Sequence, residues 1–390
     1  MAERGHDVEV FASSGRRQCR LERQGVIEHW VRETDSHDFA IAAGHIFAQR
    51  HAERRFDVLE GPEYHADARV AVDLVPDIPL VVKMHTPSLI ILSLNAHSRF
   101  QVYLQHLLGS GRGVAAALLR RRSLPPISFV PPLVKVGQKW NQMEAAHALR
   151  ADIVASPCHD LCSYARKAWK VPDSAIRHCP YPYTPAKELL ALGPRADGRK
   201  IGFFGRLEKR KGIEVIAKAI PAIAKAVPDA RFCFVGDVLR RAASSIYYDE
   251  WMRSQMPRYA DRLEFLGKYS PEQMPEAYGS VDICVFPSLW ENFPNVCLEA
   301  MSAGKAIVAS SAGGMREMLD YGRVGRLIQP ADYESLARDV IALLKHPLDR
   351  ASLGELARSR VMEWYNGRVI GEKMENIYLE AIERKAARRN

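Results

Sequence analysis

Short apolar runs alternate with longer stretches of helical periodicity along most of the chain. The runs over residues 200–204 and 306–309 are compact and largely apolar, as strands of a covered parallel sheet are. Over Ile213–Ile220, apolar residues recur at i, i+3, i+4 and i+7, which predicts a helix with one buried face. The alternation predicts an α/β protein made of βαβ units.

The predicted strands and helices fall into two halves, each with six strands. In the first half the predicted strands are Asp7–Ala12, Gly25–Val31, Phe56–Glu60, Pro79–His85, Asp152–Ala155 and Ala175–His178, with helices at Phe39–His51 and Tyr64–Leu74. In the second half they are Lys200–Phe204, Arg231–Val235, Leu263–Leu266, Asp282–Phe286, Ala306–Ala309 and Gly325–Ile328. Each half therefore has enough strands for a doubly wound sheet of its own.

A boundary between the two halves is predicted near residue 180. A chain of 390 residues is about two domains long, and the stretch Cys179–Arg199 is rich in proline and glycine, as linkers are. We expect a first domain over residues 1–180, a linker over 181–199 and a second domain over 200–366. The C-terminal helical stretch, 367–390, is expected to pack back on the first domain.

Composition excludes several classes of protein. The hydrophobic fraction of 47% and the charged fraction of 26% are typical of globular chains and unlike disordered ones. The longest nearly apolar stretch, Pro79–Leu94, is interrupted by polar residues and falls short of the roughly 20 apolar residues of a membrane span. The seven cysteines form no C-x-x-C pair, which argues against a disulfide framework and a zinc site. Since the N-terminal residues MAERGHDVEVF lack the apolar core of a signal peptide, a cytoplasmic location is expected.

The positive charge is concentrated in one segment. The chain carries a net charge of +9, and residues 97–150 hold eight basic side chains against one acidic. Such a segment attracts nucleic acid, an anionic membrane or a phosphorylated substrate, and charge alone does not separate them. Leucines beside Arg120–Arg122 favour peripheral docking on the inner face of a membrane or on a lipid-linked phosphate over nucleic acid. The alternative is a packed helical pair with a solvated basic face.

A candidate anion site follows the predicted strand Lys200–Phe204. The sequence GRLEKRKG over 205–212 combines a glycine turn, a helix start and the cations Arg206 and Lys211. Backbone N–H groups at a helix start and two fixed cations suit a phosphate. We expect both cations to face solvent. The alternative is a charged surface turn without a ligand.

A second candidate site follows the predicted strand Asp282–Phe286. Pro294 suits the first turn of a helix, which places Glu291 in the preceding loop and Glu299 in the second turn. A carboxylate there can accept hydrogen bonds from a sugar diol, and the amides near Phe293–Val296 can meet a phosphate. Two acids at a helix start also serve simply as dipole complements.

These motifs together resemble those of family 4 glycosyltransferases. The resemblance is carried by GRLEKRKG at 205–212, FVGD at 234–237, FLGKYSPEQMPEAY at 265–278 and the long run from Glu291 to Leu319. In the first half it rests on RGHDVEVF at 4–11, VVKMHT at 81–86 and DIVASP at 152–157. The resemblance implies the GT-B fold, in which two doubly wound Rossmann-like domains face each other across a cleft.

The resemblance also implies roles for single residues. Arg206 and Lys211 would grip the diphosphate of a nucleotide sugar, Glu299 would hold the ribose and Glu291 would lie near the donor sugar. His85, at the end of a first-domain strand, would face the reaction centre. The further donor-binding residues that the resemblance implies are Gly236, Lys268, Tyr269, Phe293, Pro294, Asn295, Val296 and Gly314.

The implied activity is transfer of a sugar from a nucleotide-sugar donor to a glycan or lipid-linked acceptor in surface polysaccharide or glycoconjugate synthesis. The family implies retention of anomeric configuration. The absence of a D-x-D motif predicts chemistry without a metal or other cofactor. Three alternatives stay open: a nucleotide-sugar epimerase or phosphorylase of the same fold, a non-catalytic sugar-nucleotide binder, and a basic nucleic-acid or membrane-binding module.

The resemblance begins at Arg4, inside the first helix of the family's first domain. A central strand and a glycine-rich loop would precede that helix. We therefore expect two strands of the first sheet to lack a ladder partner, and a reading frame that starts roughly 25–30 residues upstream.

Overall fold

The computed structural model describes residues 1–14, 18–32, 36–95, 132–193, 198–241 and 246–389. Contacts divide the chain into two compact units. The first unit contains Met1–Leu92, residues 132–180 and the C-terminal residues from Arg368. The second consists mainly of Tyr181–Gly367. Of the basic segment 97–150, only residues 132–150 lie within the described part of the chain.

The described residues of the first unit form seven strands in two sheets. Its strands are β1 (Val8–Ser13), β2 (Cys19–Arg23), β3 (Val26–Val31), β4 (Leu59–Pro62), β5 (Leu80–Lys83), β6 (Ile153–Ser156) and β7 (Ile176–His178). Its helices are α1 (Ser36–Glu53), α2 (Arg69–Leu74), α3 (Ser88–Asn95), α4 (Pro132–Arg150) and α5 (His159–Ala168), and it ends with the C-terminal helix described below. The sheet orders are β1-β3-β2 and β4-β5-β6-β7.

Strand β2 was not predicted from the sequence. All five of its residues are exposed, so the strand lacks the apolar positions on which prediction depends. It pairs antiparallel with β3 through a two-residue turn at Gln24 and Gly25, both with positive φ. Hairpin pairing through this turn holds a polar strand that has no buried face.

Two other first-unit predictions were shifted. The strand expected over Phe56–Glu60 runs instead over Leu59–Pro62, because Phe56 stacks on Phe47 of α1 at a ring separation of 5.3 Å. The helix expected over Tyr64–Leu74 begins at Arg69, since His65 and Ala66 adopt positive φ.

The outer edges of β1 and β4 carry no paired strand among the described residues. β1 pairs only with β3, and β4 pairs only with β5. A cavity of about 1120 Å³ is lined by residues of both strands, together with apolar side chains of α1 and of the C-terminal helix. The described residues of the first unit thus form two separate sheets, and β1 and β4 are two strands that lack a ladder partner on one edge, as expected from the sequence.

The C-terminal helix α14 (Gly367–Ala387) completes the core of the first unit. Its buried residues Ile370, Met374 and Ala381 join Val81 and Ile153 of the parallel sheet in one apolar cluster. The helix covers a sheet face that would otherwise expose apolar side chains.

The second unit is a single six-stranded parallel sheet covered on both faces. Its strands are β8 (Lys200–Phe204), β9 (Arg231–Val235), β10 (Leu263–Gly267), β11 (Ile283–Phe286), β12 (Ala306–Ser310) and β13 (Arg326–Ile328), in the order β10-β9-β8-β11-β12-β13. Its helices are α6 (Lys187–Leu190), α7 (Ile213–Ala226), α8 (Tyr248–Gln255), α9 (Met274–Gly279), α10 (Asn295–Ser302), α11 (Met315–Met318), α12 (Tyr333–Lys345) and α13 (Pro347–Trp364). Phe203 packs into the core on one face and Phe204 into the core on the other.

The segment predicted as a linker packs instead on the second unit. Leu189 is buried in the core that contains Phe204, and the amide of Tyr183 donates a hydrogen bond to the carbonyl oxygen of Tyr365 at 2.7 Å. Its aromatic and leucine side chains supply apolar area that proline and glycine content alone does not reveal.

The part of the chain that the structure describes has no helix long and apolar enough to cross a membrane. The seven cysteines are free thiols, and all except Cys19 are buried. Burial raises the pKa of the Cys179 and Cys233 thiols to about 11. These thiols are therefore protonated side chains of the core.

Candidate functional site

The second sheet has a switch point between β8 and β11. From β8 the chain builds outward through β9 and β10, and from β11 it builds outward in the other direction. At such a point the loops after the two strands diverge, which leaves a crevice at their carboxyl ends where ligands of α/β sheets bind. Arg206 follows β8 and Glu291 follows β11, so the two sequence motifs meet at this crevice.

The loops after β8 and β11 contact each other through backbone. The amide of Leu289 donates a hydrogen bond to the carbonyl oxygen of Arg210 at 2.8 Å. Gly212, at φ 78°, lies so close to Pro287 that a Cβ would stand 2.0 Å from the proline carbonyl oxygen. Only glycine fits there, and the close approach fixes the basic turn against the loop that carries Glu291.

Five charged side chains form a continuous network across these loops. Glu208 accepts hydrogen bonds from Arg206 at 3.3 Å and from Arg210 at 2.9 Å. Glu291 accepts one from Arg210 at 3.1 Å and forms an ion pair with Lys211 at 2.5 Å. Three cations against two carboxylates leave one positive charge, so the network suits an anionic ligand.

The two cations that the resemblance singled out differ in exposure. The Arg206 side chain is 54% exposed, whereas that of Lys211 is only 16% exposed. The expectation that both face solvent is therefore wrong for Lys211, because its ammonium group is drawn to Glu291. Arg206 is the open end of the network.

Glu208 and Arg210 belong to the network but had no role in the sequence prediction. Both are buried. They lie in the quoted motif, yet four charges in succession give no sign of which one turns inward. The 3-10 turn over Lys209–Lys211 decides this, since it directs Arg210 to Glu291.

Glu299 lies in α10 beside a buried tyrosine. The Tyr278 hydroxyl is 2.9 Å from Oε2 of Glu299 and 3.0 Å from the carbonyl oxygen of Val296, and its ring stacks on Phe204. Burial raises the pKa of the Glu299 carboxyl, and the Tyr278 hydrogen bond opposes part of that rise. The carboxyl is thus held in place at the side of the helix.

The remaining predicted donor residues take different places. Phe293 is buried and its ring meets those of Tyr181 and Tyr365, so only its backbone can face a ligand. The Gly314 amide donates to the carbonyl oxygen of Glu291 at 2.9 Å, which ties it to the same loop. The others lie at strand or helix ends: Gly236 after β9, Lys268 and Tyr269 after β10, Pro294 before α10, and Asn295 and Val296 in its first turn.

In the first unit, His85 follows β5 and its side chain is 51% exposed. Its Nδ1 is 3.1 Å from the carbonyl oxygen of Lys83 and 3.4 Å from Oε2 of Glu63. Burial lowers the pKa of His85, but the Glu63 carboxylate more than offsets it, and the net shift is upward. Sequence reasoning missed Glu63 because it lies in a different strand end, 22 residues earlier.

A second buried acid, Glu144 of α4, lies near Glu63. It accepts hydrogen bonds from the hydroxyl and the amide of Ser88. Burial raises the pKa of Glu144 to about 7, and the Glu63 charge adds to the rise.

This raised pKa predicts a pH-dependent stability. The unfolded chain releases the Glu144 proton near pH 4.5, whereas the folded protein holds it to about pH 7. The folded state therefore binds more protons between these values, and stability falls as pH rises through that window, by about 3 kcal/mol in total. Glu144→Gln removes the ionising group, so urea unfolding at pH 5 and pH 8 should show a smaller loss in the variant. Parallel losses in both proteins would refute the assignment.

Most of the second unit matches a known family model. Residues 198–346 match the model of glycosyl transferases group 1. An uncharacterized glycosyltransferase of Methanocaldococcus jannaschii is 30% identical over 194 residues, which are 50% of this chain and 48% of that protein. The phosphatidyl-myo-inositol mannosyltransferase of Mycolicibacterium smegmatis is 33% identical over 196 residues, 49% of this chain and 47% of that protein. The chain thus aligns with about half the length of these curated relatives.

Solved structures match over nearly the whole chain. Sucrose-phosphate synthase from Thermosynechococcus elongatus has a TM-score of 0.71 at 20% identity and covers 97% of this chain and 90% of its own. Anabaena HepE, solved in complex with UDP-glucose, has a TM-score of 0.63 at 17% identity, covering 90% and 86%. At these identities the likeness concerns the fold, and it confirms the predicted α/β class with two Rossmann-like domains.

Proposed function

From a second unit that is a glycosyl transferases group 1 domain, we propose that the chain is a glycosyltransferase that takes its sugar from a nucleotide-sugar donor. The observation that carries the proposal is the charged network at the switch point of the second sheet. It joins an exposed arginine and a lysine to the loop before α10, which also carries Glu299. Nucleotide ligands of open α/β sheets bind at the switch point of the sheet, with their phosphates near a helix start.

The network would act on the leaving group. Breaking the bond between the anomeric carbon and the diphosphate builds negative charge on the phosphate oxygens. Arg206 and Lys211 would stabilise that charge, and their fixed positions within the network mean that little reorganisation is needed. Because these cations are supplied by side chains, we propose that the reaction needs no metal ion. The resemblance to family 4 glycosyltransferases supports the further proposal that anomeric configuration is retained.

The acceptor is proposed to be a glycan or a lipid-linked molecule. The name of the M. smegmatis relative, a phosphatidyl-myo-inositol mannosyltransferase, supports a lipid-linked acceptor. The proposed membrane association rests on residues that lie mostly outside the described part of the chain, in the basic segment 97–150.

Glu299 is expected to act in donor binding. A ribose contact is made in the ground state and the transition state alike, so Glu299→Gln should raise the KM for the donor about tenfold with little change in kcat. Tyr278→Phe keeps the carboxylate and removes only its orienting hydroxyl, and it should cause a smaller rise. Steady-state kinetics with varied donor checks both, and an unchanged KM in Glu299→Gln would remove this role.

The proposed function is tested by donor binding and turnover. Thermal unfolding is followed with a panel of UDP-, GDP- and ADP-sugars, each with and without EDTA, because a ligand of the folded state raises the Tm. One nucleotide sugar should stabilise the chain equally in both series and should lose its sugar to an added acceptor. Turnover of the donor without any acceptor would instead indicate an epimerase. Stabilisation that EDTA abolishes would overturn metal independence.

A further inference from the structure

Glu63 is a buried acid that the donor network does not involve. It follows β4, next to β5, and its side chain is fully buried. Its Oε2 accepts a hydrogen bond from the His85 amide at 2.6 Å and lies 3.4 Å from Nδ1 of the His85 ring. Its Oε1 has no hydrogen-bond partner among the described residues. A buried carboxyl with an unpaired oxygen is costly, and such groups need an explanation.

The contacts of Nδ1 favour one tautomer of the His85 ring. Nδ1 faces two acceptors, the Lys83 carbonyl oxygen at 3.1 Å and the Glu63 carboxylate. Two acceptors at Nδ1 favour the neutral ring in which Nδ1 carries the proton. In this tautomer Nε2 is the ring atom that can accept a hydrogen bond from a substrate. The His85 side chain is half exposed.

The backbone after Glu63 is strained in a way that holds this arrangement. His65 and Ala66 have φ of 57° and 50°, values that non-glycine residues adopt at a cost. The His65 ring lies between Tyr64 and Trp140, with ring separations of 3.9 and 4.2 Å. Aromatic packing of His65 offsets part of the strain in the backbone that follows Glu63.

We propose that Glu63 is a positioning residue that holds the His85 imidazole in its Nδ1–H form, so that Nε2 accepts a hydrogen bond from a substrate hydroxyl. A base that is oriented by a third group is a recurring device of acid–base catalysis. The part of the proposal that concerns catalysis rests on the proposed glycosyltransferase function. The coupling of Glu63 to His85 stands apart from it.

Three other charges bear on the site. Lys83 is the last residue of β5, and its charge lowers the pKa of His85 by repulsion. Glu60 of β4 lies 3.7 Å from the Lys83 ammonium. The third charge is Glu144 of α4, which interacts electrostatically with Glu63 and accepts a hydrogen bond from Ser88. Of these, Glu60 is a matched control for Glu63, since it is a carboxylate of β4, the strand that Glu63 follows, and its ion pair is with Lys83.

The coupling is tested by NMR titration of the full chain labelled at its 13 histidines. The His85 signal is assigned with His85→Gln. We expect the Nδ1–H tautomer in the wild type, and a fall in the His85 pKa in Glu63→Gln because a negative charge is lost. Glu63→Asp should retain part of the raised pKa, and Glu60→Gln should change it less than Glu63→Gln does.

Kinetics then tests the positioning role. In Glu63→Gln, kcat should fall about 10–100-fold, as for loss of other orienting partners, and the donor KM should not change. The rise of activity with pH, which reports deprotonation of His85, should move to lower pH. A purely structural loss would lower activity without moving this pH dependence.

The outcomes separate the two proposals. An Nε2–H tautomer in the wild type, or a His85 pKa that is the same in Glu63→Gln, would overturn the positioning role. If Glu63→Gln does not fold, the positioning role is decided by the wild-type tautomer and by the His85 pKa in Glu63→Asp. If no nucleotide sugar is turned over, the proposed function fails, and the titration still decides whether Glu63 holds His85.

Discussion

Arg206→Ala should lower the rate of sugar transfer by roughly 10²-fold or more while leaving the fold intact. Loss of one preorganised charge that stabilises a transition state has effects of that size. Arg206 is the exposed end of the network, with a single 3.3 Å contact to Glu208, so its removal leaves no cavity. The measurement is kcat/KM for the donor that stabilises the wild type, together with the Tm of the variant.

Arg199→Ala is the matched control. Arg199 immediately precedes β8, the strand that Arg206 follows, and it pairs with Asp229 on the surface. Its removal should change the rate by less than about twofold, because surface ion pairs contribute little. Equal rates for the Arg206→Ala variant and the wild type would remove the diphosphate assignment. Lys211→Ala should also slow transfer. Its loss of stability is expected to be larger than that of Arg206→Ala, because Glu291 loses a cation with which it forms an ion pair.

Arg210→Met should destabilise the protein by about 3–5 kcal/mol. Arg210 is buried between Glu208 and Glu291, and its removal leaves these two buried carboxylates with only Arg206 and Lys211 as partners. Methionine keeps much of the side-chain volume, so the loss reports charge rather than a cavity. Urea unfolding of the variant and the wild type at the same pH measures the difference.

Two further variants make this result specific. Arg338→Met removes an exposed arginine that pairs with Asp339, and it should cost under about 1 kcal/mol. Addition of Glu208→Gln to Arg210→Met should recover part of the stability, because one of the two buried charges is gone. A loss below about 1 kcal/mol in Arg210→Met would mean that the network is solvated and does not hold the two loops together.

Sequence patterns predicted the second unit more closely than the first. β8 and β9 have the predicted bounds, and β11 and β12 differ by one residue at one end. These strands are buried on both faces, so nearly every position is apolar and the run itself marks the strand. Where burial is one-sided or absent, as in β2, no such run exists. The shifted start of β4 likewise depends on a contact with another element, the stacking of Phe56 on Phe47.

For the candidate site too, part was predictable from the sequence and part depended on the tertiary structure. Position after predicted strands made Arg206, Lys211, Glu291 and Glu299 candidates, because ligands of α/β sheets bind at strand ends, and the family resemblance supplied their expected roles.

Only the tertiary structure decided how these charges are used. A 3-10 turn directs Arg210 inward, Lys211 becomes the partner of Glu291, and Arg206 remains exposed. The tertiary structure also brings together Glu63 and His85, which are 22 residues apart in the sequence. They meet because β4 and β5 are neighbours in a parallel sheet, so the two strands end at the same edge. Sequence determines which charges lie at the ends of strands, whereas their pairing depends on distances between loops that are remote along the chain and close only in the folded protein.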